Sequence, residues 1–396
     1  MKKITILFGI LSIATGAFAQ SIDFSKQSWE KVLAEAQSSN KNIFVDAYTT
    51  WCVPCKKMDK YVFTKPNVAT FYNEYFISIQ MDMEKGEGAT FAKKYDVKAF
   101  PTLLYFSPDG ELLHRVAGYK NSDEFLEVGI MALNPKLRLG TMTKKYLQGE
   151  RSPDFLRKYA YACKAALDYK YRDVAEVYLN TQKEWSSPEN IQFIFDFTEN
   201  TRSRYFNYMI DNRTLFEKQL GSGAVFNKVQ SIIQTRLDLM LNQKKENIAE
   251  LKEIEELFQK VYKEDAVVKY AAFRMTYYRT RGDRGGFAEA AVDYVENMQG
   301  ITADELNSTA RIFAEVIEDE KMLENAVSWS KRAIEIEARY TNYYTLAALY
   351  YKLGENRKAK KAAKKAIKVA TKNNEDAQVV KDLLNQIKSG KEFGAS

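Results

Sequence analysis

Residues 44–56 read FVDAYTTWCVPCK, and this stretch decides how the first part of the chain folds. The apolar and β-branched run 42–48, bounded by polar residues, predicts a buried strand. From Cys52 the pattern becomes helical through about Tyr61. Two cysteines at the start of a helix lie beside free backbone N–H groups and the positive end of the helix dipole, which stabilise a thiolate. The stretch therefore predicts a reactive pair, Cys52 and Cys55.

The number of cysteines and histidines in the chain restricts the chemistry that this cysteine pair can perform. The 396 residues contain three cysteines, Cys163 being the third, and a single histidine, His114. An exported protein held together by disulfides would contain more cysteines, and a zinc site would need a second Cys pair or a His cluster. One histidine also argues against serine and cysteine hydrolases. The composition thus favours redox chemistry with no metal and no cofactor.

Strand and helix patterns continue on both sides of the pair. A helix is predicted before the first strand, and a Pro-Asp-Gly turn at 108–110 predicts a hairpin between two later strands. The order β-α-β-α-β-β-α, with an added N-terminal helix, is that of a thioredoxin fold. The predicted ranges are helices 28–36, 52–61 and 122–131 and strands 42–48, 76–81, 103–106 and 111–117.

Two segments resemble the thioredoxin family. Residues 44–56 are similar to the active-site strand and turn, and residues 95–104 (YDVKAFPTLL) are similar to the segment that contains the cis-proline. The resemblance covers residues 26–133, and within it residues 51–82 look closest to the branch containing the periplasmic domain of the transmembrane thiol:disulfide interchange reductase. It implies an α/β thioredoxin fold and a protein-disulfide oxidoreductase.

The resemblance also implies roles for four residues. Cys52 would be the exposed nucleophile, and Cys55 the buried resolving thiol that releases a mixed disulfide. Asp46 matches the family's buried carboxylate, whose pKa burial would raise so that it accepts the Cys55 proton. A local hydrogen bond at the strand end is the alternative role for Asp46. Asp59 matches an acid of the periplasmic branch, or is a solvated charge on the helix.

Substrate binding is expected beside the pair. The resemblance implies that Pro101 is cis, which would place the backbone of Phe100 next to the disulfide to pair with a substrate strand. Trp51 would shield the disulfide, although a packing role is equally open. Two departures from thioredoxins stand out: Phe100 replaces a smaller aliphatic residue, and Ser78 stands near the position of the lysine that partners the buried acid.

Residues 1–19 predict a secretory signal peptide. A basic start, an apolar run at 4–14 and the small-x-small motif at 17–19 are typical of a cleaved bacterial export signal. The apolar run is shorter than the roughly 20 residues of a membrane-spanning helix. We therefore expect a periplasmic or extracytoplasmic protein with no stable membrane insertion after cleavage.

Helical periodicity dominates after Pro135, which marks the predicted end of the first domain. Buried-type alanines recur 33 residues apart, together with Tyr350 and Gly354, and this spacing is typical of tetratricopeptide repeats. A basic run from Arg357 to Lys372 favours a solvated helix face over the alternative, a docking surface for an acidic partner. The predicted domains are a thioredoxin-like domain at 20–135, a helical domain of uncertain type at 136–302, and tetratricopeptide-like repeats with a capping helix at 303–396.

The sequence thus predicts an exported thiol:disulfide oxidoreductase in cell redox homeostasis, with a helical domain that binds partners. Its partners would be exported proteins with disulfides, with a membrane thiol reductase as possible electron donor and no nucleic acid. Val53 and Pro54 between the cysteines lack the histidine of strongly oxidising relatives, which favours reduction. Two alternatives stay open: a disulfide isomerase, and a protein-binding module that uses the thioredoxin fold as a scaffold.

Overall fold

A computed structural model describes residues 21–243, 245 and 247–390 of the chain. The predicted signal peptide lies outside the described residues. The chain divides into two compact units, one ending at Phe193 and the other beginning at Ile194. Each unit is described by itself.

The first unit is built on a five-stranded sheet in the order β1-β3-β2-β4-β5. β1, β2 and β3 pair in parallel, whereas β4 pairs antiparallel to both β2 and β5. This arrangement confirms the predicted α/β thioredoxin fold. The strands are β1 (Phe24–Ser25), β2 (Asn42–Tyr48), β3 (Phe76–Asp82), β4 (Thr102–Phe106) and β5 (Leu112–Ala117).

Helices cover both faces of the sheet. α1, α2 and α5 match predicted helices, and α4 occupies the place of the helix that the predicted order put, without a range, between the second and third strands. α3 was not predicted. The helices are α1 (Trp29–Ser39), α2 (Val53–Tyr61), α3 (Pro66–Tyr75), α4 (Gly86–Lys94), α5 (Ser122–Leu133), α6 (Leu139–Leu147), α7 (Pro153–Ala165), α8 (Tyr171–Asn180) and α9 (Pro188–Phe197), which extends across the division between the units.

Two hydrophobic cores follow from the alternation of side chains along β2. Phe44 packs on one face against residues of α2, α3 and α5 such as Met58, Tyr72 and Phe125. Its neighbours Ile43 and Val45 pack on the other face, against α1 and α4. Because Asp46 lies two residues after Phe44, its side chain belongs to the face that α2 covers.

α6 continues the first unit beyond the predicted boundary at residue 135. The Leu139 backbone N–H donates to His114 Nδ1 on β5 at 3.1 Å. A Cβ at Gly140 would lie 3.1 Å from the carbonyl oxygens of Leu112 and Leu113, a contact tighter than most, so glycine favours this close approach of helix to strand. Helix α6, which lies beyond residue 135, therefore packs directly on the last strand of the sheet. The domain boundaries given by the sequence analysis stay predictions.

The second unit is helical within its described residues. α16 packs on α17 and α18 on α19, and α16 also contacts α18. The six alanines spaced by 33 residues (314, 326, 333 and 347, 359, 366) are all buried. After α9, the helices are α10 (Arg204–Asp211), α11 (Arg213–Leu220), α12 (Ser222–Leu241), α13 (Ile248–Tyr262), α14 (Ala266–Arg281), α15 (Arg284–Asn297), α16 (Ala303–Val316), α17 (Glu320–Ile336), α18 (Tyr340–Lys352), α19 (Asn356–Lys372) and α20 (Gln378–Ser389).

Candidate functional site

The cysteine pair lies at the start of α2, as the sequence predicts. Cys52 is the N-cap residue and Cys55 lies in the first turn, and the two form a disulfide with Cα atoms 5.3 Å apart. The Cys55 backbone N–H donates to Cys52 Sγ at 3.1 Å. The first sulfur is thus held at the N-terminus of a helix, where a thiolate is stabilised after reduction.

The expected exposure of Cys52 is wrong for this oxidised form. Cys52 is only 2% exposed, as is Cys55. Its neighbours Trp51 and Val53 are 62% and 61% exposed. At this point of the chain, the two apolar side chains therefore lie in the solvent, whereas the Cys52 sulfur lies inside the protein. The inward direction follows from the disulfide and from the bond to the Cys55 N–H, which both hold Cys52 Sγ against the helix.

Asp46 is buried on the α2 side of the sheet, as the resemblance implies. Its carboxylate Oδ2 accepts a hydrogen bond from Gln80 Nε2 at 3.1 Å, whereas its buried Oδ1 has no hydrogen-bond partner. Burial raises the pKa of Asp46 from 3.8 to about 7, opposed by the Gln80 hydrogen bond and reinforced by the nearby Asp59. The group can therefore exchange a proton near neutral pH.

Asp59 joins the same cluster. Gln80 Nε2 also donates to Asp59 Oδ1 at 2.6 Å, so one amide group bridges the two carboxylates. Burial raises the pKa of Asp59 as well, and the Gln80 hydrogen bond opposes that rise. Asp59 follows Cys55 by four residues on α2, which places both side chains on one face of the helix. The structure thus brings both predicted acids together beside the helix of the cysteine pair.

Gln80 is the residue that the sequence analysis missed. Ser78 was considered near the position of the family's lysine, but the register pairs Ser78 with Phe44 and Gln80 with Asp46. The parallel pairing of the predicted strands 42–48 and 76–81 could have identified Gln80, because their first residues are aligned. The hydrogen-bond partner of Asp46 is therefore a neutral amide, and no positive charge is among the groups that shift the pKa of Asp46.

Trp51, which directly precedes Cys52, contacts Phe100, the residue before the buried Pro101. The Phe100–Pro101 peptide bond is cis, as predicted. The Trp51 and Phe100 rings meet edge to face with centroids 6.0 Å apart, and Trp51 Nε1 donates to Glu84 Oε2 at 3.0 Å. Trp51 is therefore fixed from two sides although most of it is exposed. Glu84, which the sequence analysis did not single out, anchors it.

Two further properties concern the residues that the structure describes. Within them, no group of three or more His, Cys, Asp or Glu side chains is arranged to hold a metal ion. No helix among them combines the length and the apolar character needed to cross a membrane.

Comparison with known proteins finds relatives for the part of the chain that contains this site. The model of a family described as a thioredoxin-like domain matches residues 29–130. The thiol:disulfide interchange protein DsbD of Yersinia pestis (strain Pestoides F) is 34% identical over 101 residues, which are 25% of this chain and 17% of that protein. The DsbD of Haemophilus ducreyi is 33% identical over 90 residues, 22% of this chain and 16% of that protein. The chain thus spans about a sixth of the length of these curated relatives.

A solution structure of a proposed disulphide-isomerase from Bacteroides thetaiotaomicron also matches. It is 40% identical, and the match covers 29% of this chain and 96% of that chain with a TM-score of 0.28.

Proposed function

We propose that this chain is an exported thiol:disulfide oxidoreductase, because residues 29–130 match the model of a thioredoxin-like domain. It would reduce disulfides of other exported proteins through Cys52 and Cys55. The observation that carries the proposal is the Cys52–Cys55 disulfide at the N-terminus of α2, the helix that covers the sheet face containing Asp46, whose pKa burial raises to about 7. The predicted signal sequence at 1–19 supports export.

The reaction moves two electrons from the chain to its substrate. In the reduced form, the Cys52 thiolate attacks one sulfur of a substrate disulfide, so that the substrate S–S bond breaks and the other substrate sulfur leaves as a thiolate. Cys55, once deprotonated, then attacks Cys52 Sγ, which breaks the mixed disulfide and releases the second substrate sulfur. The chain finishes with the Cys52–Cys55 bond seen in the structure, and a membrane thiol reductase would restore the dithiol.

Asp46 supports the second step as the base for the Cys55 thiol. A carboxyl group with a pKa of about 7 is partly ionised at neutral pH, so it can accept that proton and later release it. Oδ1 is the oxygen available for the proton, since Oδ2 already accepts from Gln80. Asp59 acts on Asp46 through charge, because its nearby carboxylate raises the pKa of Asp46.

Trapping of mixed disulfides tests the roles of the two cysteines. Cys55→Ser should accumulate mixed disulfides with exported proteins, because the resolving thiol is missing, and Cys52→Ser should accumulate none. The reverse pattern would reverse the assignment of nucleophile and resolving thiol. If neither variant traps partners and the wild-type protein does not reduce insulin, the thioredoxin fold serves as a scaffold. If the wild-type protein reactivates scrambled ribonuclease without net reduction of disulfides, the protein is an isomerase.

The second unit is proposed to select protein partners through tetratricopeptide-like helix pairs. The buried alanines at 33-residue spacing and the contact of α16 with α18 support such stacking. A groove of about 390 Å³ between α14, α15 and α16 offers a binding surface, lined in part by Met275, Arg279, Ser308 and Ile312.

A variant in this groove separates recognition from chemistry. Ser308 is exposed in the groove, so Ser308→Arg should fill it without disturbing the packed core. In a Cys55→Ser background, the variant should trap fewer native partners, whereas in the wild-type background it should reduce insulin at an unchanged rate. An unchanged set of trapped proteins would show that this groove recruits no substrate.

A further inference from the structure

The positive charge of this chain is concentrated on one helix. α19 (Asn356–Lys372) contains eight basic residues and no acidic one, out of 59 basic and 52 acidic residues in the chain. The rest of the chain therefore has a net charge of about −1, although the whole chain has +7. The exposed members, called here the lysine face, are Arg357, Lys358, Lys361, Lys364, Lys365, Lys368 and Lys372.

Little in the fold compensates the lysine face. Lys358 pairs with Glu355, which is the one ion pair that α19 makes with the described part of the chain. Lys358 and Lys365 also lie over the rings of Tyr350 and Tyr343 at 5.3 and 5.9 Å. Like charges three and four residues apart repel each other on a helix surface. Folding alone therefore gives no reason for this arrangement, whereas an external anionic partner does.

The opposite side of α19 is already occupied. Its alanines are buried, and the helix packs against α18 and α20. α19 therefore has no free apolar face to insert into a bilayer or to offer to a hydrophobic groove. What remains for a partner is a row of charges about 25 Å long, from 17 residues at about 1.5 Å each.

The composition of the lysine face favours a surface of phosphates over a protein partner. Six of its seven residues are lysines, which act as flexible point charges, whereas arginine forms the directed two-point contacts of specific recognition. Lysine is depleted at the centres of protein interfaces, and the aromatic residues that anchor such interfaces are absent from the exposed positions of α19. A row of point charges suits a flat anionic surface without specific geometry.

We propose that the lysine face holds the protein against a membrane with anionic phospholipid headgroups. The choice of a membrane over nucleic acid rests on the proposed export, because an exported protein meets lipid phosphate. Binding is peripheral: the phosphates of the headgroups attract Lys361, Lys364, Lys365 and Lys368, and the helix stays packed on its own unit. The surface would concentrate the oxidoreductase at the membrane where exported substrates emerge and a membrane reductant resides.

Vesicle flotation of the full chain tests the proposal. Vesicles of phosphatidylcholine with 30% phosphatidylglycerol are compared with pure phosphatidylcholine vesicles, which measure any contribution from the apolar residues 4–14. The wild type should bind the anionic vesicles in 50 mM NaCl and leave them in 500 mM NaCl, since salt screens the attraction. The fourfold variant K361Q/K364Q/K365Q/K368Q should lose about 600-fold in partition coefficient, at about fivefold per lysine.

Two matched variants make the result specific. K31Q/K183Q/K218Q/K252Q removes the same charge from exposed lysines elsewhere and should bind like the wild type to within a fewfold. K361R/K364R/K365R/K368R keeps the charge and should retain binding. Circular dichroism and insulin reduction should be unchanged in all three, which keeps the result independent of the thiol chemistry.

Several outcomes would overturn the proposal. The proposal fails if the wild type shows no salt-sensitive binding to anionic vesicles. It also fails if the two fourfold glutamine variants lose vesicle binding equally. Binding to poly-glutamate without binding to vesicles would assign the lysine face to an acidic polypeptide. Binding to duplex DNA without binding to vesicles would assign it to nucleic acid.

Discussion

Replacing Asp46 by asparagine should stabilise the protein at alkaline pH. The folded pKa of Asp46 is about 7 and its ordinary value is 3.8, so folding holds the proton more tightly than the unfolded chain does. The sign follows: stability is greatest when the group is protonated and falls as pH rises from about 4 to about 7. Above pH 7, the folded protein holds a buried carboxylate with one unpartnered oxygen.

The magnitude follows from the two pKa values. A tenfold difference in proton affinity corresponds to about 1.4 kcal/mol, so the separation of 3.8 from about 7 corresponds to about 4 kcal/mol at pH 8. The asparagine side chain would keep an acceptor for Gln80 and place a neutral amide nitrogen where Oδ1 of Asp46 has no partner. Asp46→Asn should therefore raise the free energy of unfolding by up to about 4 kcal/mol at pH 8 and change it little at pH 4.

Urea denaturation of the oxidised forms at pH 4, 6 and 8 measures this difference. Asp59→Asn is the matched control. Asp59 is far less buried than Asp46, so its replacement should change the free energy of unfolding at pH 8 by a smaller amount. The same Asp46 variant should release mixed disulfides more slowly while the first attack by Cys52 changes less. A stability difference that stays constant from pH 4 to pH 8 would refute the assigned pKa and with it the role of Asp46 as a proton acceptor.

Three further predictions concern the surroundings of the site. Gln80→Leu removes the hydrogen bonds that lower the pKa values of Asp46 and Asp59, so the pH profile of mixed-disulfide release should move to higher pH; an unchanged profile would contradict the bridging role. Glu84→Ala frees Trp51 and should raise KM for a protein substrate with little change in kcat, whereas Glu84→Gln, which keeps an acceptor, should not. Burial lowers the pKa of His114 from 6.5 to about 4, so its contribution to stability is present above pH 6.5 and lost as pH falls to 4. The loss of unfolding free energy caused by His114→Asn, measured by urea denaturation, should therefore shrink by about 3 kcal/mol over that range. A loss that stays constant with pH would contradict the lowered pKa of His114.

Local patterns in the sequence determined most of the first domain. The strand 42–48 is predicted with the bounds it has in the structure, because a short apolar run between polar residues leaves few alternatives. The cysteine pair and its place at a helix start depend on neighbouring residues alone. The helix α3 was missed and α4 was expected from the element order alone, because two glycines in α4 weaken its helical signal.

Contacts between distant segments decided the chemistry of the site. Gln80 reaches Asp46 across 34 residues, and Glu84 reaches Trp51 across 33, because strand pairing brings them together. The inward direction of Cys52 Sγ likewise depends on the closed disulfide.

The sequence by itself determined the thioredoxin fold and the place of the reactive pair, because these follow from short apolar periods and from residues near each other in the chain. The roles of Asp46 and Asp59 were implied by the resemblance to thioredoxins and not by any local pattern. The tertiary structure alone decided which amide joins Asp46 to Asp59, what anchors Trp51, and that α6 packs on β5. The physical reason is that a pKa or a hydrogen bond depends on burial and distance. Both are set by strand register and helix packing, which no local pattern specifies.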